Sequence, residues 1–428
     1  MIEVTITTFS ADKLQELTIK QRTNKLQGEI DRLCATGGGE LVLTGGTYCV
    51  GSLRLGSHFT LRLAADAKLV FSTDITDYPV VASRWEGASQ SVYRACLYGT
   101  ELQDVQLLGE GVIDGQGVQW WQRFRSSTLA YPRPYLCSIE NSVHVTIAGL
   151  TFKNSPAWTL HPLNCQNVLI DGVTVINPAD SPNTDGLDPE SCQNVRIMNC
   201  QFDVGDDCIA IKAGTEDALT DIPCRNITIS NCSMLHGHGG VVLGSEMSGK
   251  IQNVVITTCT FVDTDRGIRF KTRRGRGGEI SNISVSNIVM DQVLCPVVVN
   301  AYYFCGKKGS EKYVWTKETL PVDTRTPKIK NIDISHLTVT GIQSCVAFIY
   351  GLPEAPIENL SLSDSSFCLD SQSQPVAPAM IADAPEFAQA GIFIENTQQN
   401  TLRHLKISGA TDAVIHDVHN PGLLTQLT

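Results

Sequence analysis

The 428-residue sequence has no surplus of positive charge, since 33 lysines and arginines stand against 44 aspartates and glutamates, a formal net charge of −11. Phosphate binding needs a basic footprint over a sizeable face, so no nucleic-acid partner is expected. No apolar run is long enough to span a bilayer, and Met1-Ile2-Glu3-Val4-Thr5-Ile6 lacks a basic region leading into an apolar stretch. The expectation is a cytoplasmic protein with no membrane partner. Of the fifteen cysteines, none falls in the close pairs of a zinc site. Positions such as Cys165, Cys200, Cys232 and Cys259 read as reduced, buried, small apolar residues, and neither metal nor cofactor is called for. Charged residues make up only 18% against 42% hydrophobic, which excludes a disordered chain and leaves enough apolar surface for a long core.

Helical periodicity is nearly missing as well. It is confined to about residues 22–36, where Leu26, Ile30 and Leu33 share a face and Gly37-Gly38-Gly39 ends the pattern. Directly afterwards Glu40-Leu41-Val42-Leu43 and Phe59-Thr60-Leu61-Arg62-Leu63 alternate like strands. A short helix before a first coil of strands reads as a cap over an open end.

What fills the rest is a repeat, a polar residue followed by an apolar, any, apolar triplet. It runs through Asp104-Val105-Gln106-Leu107, His144-Val145-Thr146-Ile147, Asn167-Val168-Leu169-Ile170 and Asn194-Val195-Arg196-Ile197. Asn226, Asn253, Asn282, Asn331 and Asn359 lead the later copies. Between Asn167 and Asn282 the steps are 27, 32, 27 and 29 residues, a solenoid period. Helical repeats would need helix-period segments between the strands, and short strands divided by Gly, Asn, Asp and Pro stand there instead. An all-β, parallel β-helix is the reading left, a single elongated domain over residues 1–428 with a final coil and cap from about 371. Its asparagines would stack into hydrogen-bonded ladders at the turns. Longer connections interrupt it at Asn177 to Asn183, Thr215 to Pro223 and Phe304 to Thr326.

Four polar clusters stand out against this background: Asn183-Thr184-Asp185, Gly205-Asp206-Asp207, Gly237-His238-Gly239 and Arg269-Phe270-Lys271, separated by about one coil each. Any one alone is an ordinary turn sequence. Taken in order, they would stand on one wall of the solenoid. Glycosidic cleavage needs one carboxylic acid to protonate the leaving oxygen and one carboxylate to activate water, and Asp185, Asp206 and Asp207 supply both. Mutual repulsion among them would keep one protonated. His238 would orient a carboxylate or a sugar hydroxyl. Arg269 and Lys271 alternate to the same strand face, and with Arg273, Arg274 and Arg276 they concentrate positive charge that asks for an anion such as a sugar acid. The bland alternative for Arg273, Arg274 and Arg276 is a solvated basic face.

Together with Asn154-Ser155-Pro156-Ala157-Trp158-Thr159-Leu160-His161 and Asp185-Gly186-Leu187-Asp188-Pro189, these clusters resemble family 28 of the glycoside hydrolases, the polygalacturonase family. The resemblance covers most of the chain. It implies a right-handed, pectin-lyase-like parallel β-helix and inverting hydrolysis of α-1,4 bonds in homogalacturonan or oligogalacturonides. Asp206 would then be the general acid, Asp185 and Asp207 would hold and deprotonate the water, and His238 would support the acid. Arg269 and Lys271 would bind the galacturonate carboxylate, Asn183 would join the binding residues, and the family's downstream tyrosine would fall on Tyr302, with Tyr303 as the competing choice. Phe270 departs from the family's usual isoleucine, and an inward apolar side chain satisfies both. Adjacent-coil carboxylates would stand closer than the roughly 6.5 to 9.5 Å of inverting enzymes, so spacing alone points to retention.

The early segment bearing Trp85, Tyr93 and Arg94, together with the run from Lys271 to Gly278, is similar to bacterial exo-acting members, with Trp85 stacking on a sugar. Two other readings use the same fold: a calcium-dependent polysaccharide lyase and a non-catalytic β-helix that binds acidic polysaccharide. The sequence is compatible with an oligomer and specifies none.

Overall fold

The computed structural model describes residues 5–304, 306, 308–411 and 414–427. Its residues cluster into two compact units, one made of the chain up to Trp85 with Ser89–Asp206, the other of Glu86–Ala88 with the chain from Asp207 onward.

The first unit opens with α1, Ile19–Ala35, whose start is fixed by a capping box between Thr18 and Gln21. It buries Leu26, Ile30 and Leu33, the three residues that share a face in the sequence. Three more residues join its start, because Arg22 is drawn in to donate hydrogen bonds to the carbonyls of Leu14, Leu17 and Cys49. Beyond it the chain coils through parallel ladders. One inner column runs Leu41, Leu61, Leu107, Ile147, Ile170 and Ile197, each paired in register with the next. A second runs Tyr48, Leu69, Ile113, Phe152, Val175 and Phe202. Period-two alternation sends these side chains inward and their neighbours out, so every coil adds one apolar layer to the column. A third ladder joins Leu53–Arg54, Leu97–Thr100, Cys137–Glu140 and Leu160–Leu163.

The second unit repeats the plan. Its longest ladder carries the column Ile229, Ile256, Val285, Ile334, Leu362 and Leu402. Another ladder stacks Asp207–Ile211, Gly239–Gly244, Arg266–Lys271, Cys295–Asn300, Cys345–Tyr350, Ala390–Glu395 and Ile415–Val418. Its inner residues Ile209, Val241, Ile268, Val297, Ala347 and Ile392 are buried. Parallel strands joined coil to coil in this way wind right-handed. Each unit is therefore a right-handed parallel β-helix.

The asparagine ladder forms. In the second unit Asn253 donates to Asn226, Asn282 to Asn253, Asn331 to Asn282 and Asn359 to Asn331, at 3.0 to 3.1 Å. All five residues sit at positive φ, between 53° and 60°, a conformation that asparagine tolerates better than other non-glycine residues. Asn253→Ala breaks two ladder bonds and places alanine in that conformation. It should cost about 2 kcal/mol, read as a lower denaturant midpoint at unchanged slope.

The fourteen described cysteines are free thiols, most of them buried. No helix among the described residues is long and apolar enough to cross a membrane.

Candidate active site

In the first unit, the segment after Thr174–Ile176 leaves the ladder and returns at an isolated bridge between Leu160 and Leu187. Asn177 holds this excursion from inside, accepting from the Ser155 amide and donating to Thr159 Oγ1 and to the Thr184 carbonyl. Asp185 is thereby fixed and buried, its carbonyl accepting from the Thr159 amide. Asp206, half-buried, ends the unit, and the two carboxylates each bring an oxygen within 4.8 Å of the other. Two carboxylates this close form one compact acidic pair on the wall of the unit. Asn183, half-buried at φ 51°, accepts through Oδ1 from Arg133 at 2.7 Å.

Trp85 is half-buried. Its ring stacks on Tyr135 at 5.2 Å and lies 6.2 Å from Trp158, so one face is already covered by the protein. Tyr93 packs against Trp120 and Tyr131, and Arg94 donates to Ser52. Trp85 and Tyr93 thus pack on aromatic residues from other segments of the unit, since large rings bury area readily against one another.

The second unit begins at Asp207, bonded through the chain to Asp206. Asp207 is 1% exposed, and both its oxygens are engaged: Lys271 Nζ lies 2.7 Å from Oδ2 and Arg269 Nη1 3.2 Å from Oδ1. Burial pushes the carboxyl up, yet Lys271, Arg269 and Lys212 together outweigh it and hold Asp207 well below the usual carboxylate range. Lys271, in turn, is raised: burial opposes its charge, and Asp207 more than compensates. Arg269 and Lys271 share the outer strand face as the alternation predicts, and Ile268 and Phe270 point fully inward.

His238 is exposed, and its carbonyl accepts from Arg269 at 3.4 Å. The two candidate tyrosines lie in different surroundings. Tyr302 is 1% exposed and packs at 4.8 Å against Tyr350, whereas Tyr303 lies with its ring centroid 5.5 Å from Arg269 and 5.2 Å from Lys271. Strand alternation ends at Asn300, so parity along the sequence no longer tells which ring turns toward the cations.

Nor are Arg273, Arg274 and Arg276 a solvated face. All three are buried, with Arg273 and Arg276 on Glu216 and Arg274 gripped by both oxygens of Glu354. Buried guanidinium groups require such partners, and here the protein supplies most of the anion the sequence asks for. Sequence reasoning missed Lys212 and Glu246, which pair at 3.2 Å. Burial would raise Glu246, but Lys212, Arg276 and Lys271 bring it down to about 2. The signal was a lysine directly after a buried strand, Asp207–Ile211, too ordinary to single out.

The family model described as glycosyl hydrolases family 28 matches residues 42–348. The chain is 35% identical to a probable polygalacturonase of Vitis vinifera over 81% of this chain and 70% of that one. It is 29% identical to exopolygalacturonase B of Aspergillus niger over 63% of each. It spans about half the length of the polygalacturonases of Chamaecyparis obtusa, Juniperus ashei and Cryptomeria japonica that it matches. Among solved structures, an exopolygalacturonase of Thermotoga maritima shares the fold with a TM-score of 0.78, at 24% identity over 95% of this chain and 93% of that one.

Proposed function

Since the chain belongs to glycosyl hydrolases family 28, we propose that it hydrolyses α-1,4 bonds between galacturonate residues of pectin-derived chains, removing sugars from an end. In this reading Asp206 gives its proton to the bridging oxygen as the bond from the anomeric carbon to that oxygen breaks. Asp185 and Asp207 hold a water, one of its protons passes to a carboxylate, and its oxygen forms the new bond on the opposite face of the ring, with inversion. His238 supports Asp206, and Arg269, Lys271, Tyr303 and Asn183 bind the uronate.

The observation that carries the reading is the unequal treatment of neighbouring acids. Asp207 is pinned as an anion between two cations, while Asp206, next in the chain, is half-exposed and has a carboxylate oxygen within 4.8 Å of one of Asp185. Such a separation of environments divides acid from base. The ammonium and guanidinium on Asp207 also make it poor company for calcium, which speaks against the lyase route. Exo action is supported by the similarity to the Aspergillus exopolygalacturonase.

Digestion of long polygalacturonate tests all of this at once. Reducing ends should appear in step with monomer or one short product, without an ultraviolet-absorbing unsaturated sugar. An early ladder of mid-length oligomers would replace exo with endo action, and unsaturated product formed only with calcium would replace hydrolysis with elimination. Proton NMR of the newly formed reducing end should show inverted anomeric configuration first.

A further inference from the structure

Along the outer face of the second unit's ladder, Lys271 pairs in register with Asn300 and Asn300 with Tyr350. Tyr350 therefore stands two strand steps from Lys271, about 10 Å at the usual spacing. The ring of Tyr302 leans on it at 4.8 Å. Over this pair comes Lys317 from the long connection between Cys295–Asn300 and Lys328–Ile342, with Nζ 3.5 Å from the Tyr302 ring centroid and 4.7 Å from that of Tyr350. Arg274 lies on Tyr302 as well, 5.4 Å from its centroid.

The two cations differ in one respect. Arg274 is buried and satisfied by Glu354, whereas Lys317 is an exposed residue with no carboxylate within 4.0 Å among the described residues. Ring faces attract an ammonium but leave its outward hydrogens unpaired. We propose that Lys317, held over Tyr302 and Tyr350, binds the carboxylate of a further galacturonate in the bound chain, beyond the residues flanking the cleaved bond. The proposal rests on the polygalacturonase reading and deepens it, and it gives the buried Tyr302 a use that contact with Arg269 and Lys271 does not.

Charge at this position is sensitive to pH. Although the residue as a whole is exposed, its ammonium loses water where it lies over the two rings, which lowers Lys317 to about 8; Arg274 adds to the effect, while Glu395 and Asp383 oppose it. The phenols beside it stay neutral through that range, Tyr350 being pushed up to about 12 and Tyr302 higher still, by burial first. A bound carboxylate would favour the charged lysine, so the gain from a longer substrate should be present below pH about 8 and fade above it.

The test compares kcat/KM on galacturonate oligomers from dimer to hexamer, for the wild type, Lys317→Gln and Lys317→Arg. Loss of one charge-assisted contact should lower the ratio of longer oligomer to dimer about tenfold in Lys317→Gln, with Lys317→Arg recovering most of it. In the wild type the same ratio should fall between about pH 6 and about pH 9. An unchanged ratio in Lys317→Gln, or one that falls only with the thermal midpoint, overturns the proposal. Were the wild type to cleave no oligomer, the hydrolase reading would fall separately. Calorimetric titration of the hexamer into the wild type and Lys317→Gln would then decide the binding position, equal affinities counting against it.

Discussion

Asp206→Asn should leave a folded protein that binds oligogalacturonide and releases almost no sugar. The substitution keeps the size and most of the polarity of the side chain while removing the only proton it can deliver to a leaving oxygen. Positioned general acid catalysis is worth about 10²–10⁴-fold, so kcat should drop by at least that factor with little change in the dissociation constant. Reducing-sugar release measures the first and calorimetry the second. Asp206 is half-exposed, so its replacement leaves no buried charge behind and the thermal midpoint should hold. Undiminished release in this variant would remove Asp206 from the chemistry and with it the assignment of the other two acids.

The second large effect belongs to Asp207 and has the opposite signature, since stability and turnover fall together. In Asp207→Asn, Lys271 and Arg269 keep their charges and lose the carboxylate between them, with Lys212 close enough to add to the repulsion. Breaking a buried pair by removing one partner costs about 3–5 kcal/mol. Taking the second partner away should recover much of that: Asp207→Asn with Lys271→Met leaves fewer uncompensated charges, so it should melt higher than Asp207→Asn alone while remaining inactive. A double variant no more stable than the single one would show that the ion pair is not what Asp207 contributes.

The acid limb of the stability curve carries the same information. Asp207 titrates lower folded than unfolded, so its contribution is complete above the ordinary aspartate value of about 3.9 and is lost as pH falls below it. Glu246, held at about 2, behaves alike from its own unfolded value downward. The wild type should therefore lose stability steeply from about pH 4 toward pH 2, and Asp207→Asn should lose less over that interval. Chemical denaturation across a pH series shows whether the two curves converge.

The relation between these residues and the text of the sequence is uneven. Asn167 and Asn194 in the first unit, and Asn226, Asn253 and their successors in the second, announce the coil because each must adopt a left-handed backbone and, within its unit, each can bond to the next. The apolar triplets after them fix which side faces the core, and Phe270 obeys this as well as an isoleucine would. Arg269 and Lys271 were legible for the same reason, since strand alternation puts them on one outer face.

Where the strand ends, alternation stops informing. Tyr302 and Tyr303 are adjacent and chemically identical, and only the path of the chain after Asn300 turned the first into the protein and the second toward the cations. The basic run after Lys271 looked like a surface waiting for a ligand, and long-range folding brought Glu216 and Glu354 to neutralise it internally. Trp85 was likewise taken up by Tyr135, a residue fifty positions away.

By itself, then, the sequence determined the solenoid, its inner columns, its asparagine ladder and the shared strand face of Arg269 and Lys271, since each depends on a local period or on a residue type that repeats. Which charges pair, which ring faces outward and which lysine keeps its hydrogens unspent were decided only by tertiary structure. Those outcomes depend on Coulomb and packing energies between residues brought together from distant parts of the chain, and no local pattern encodes their separation.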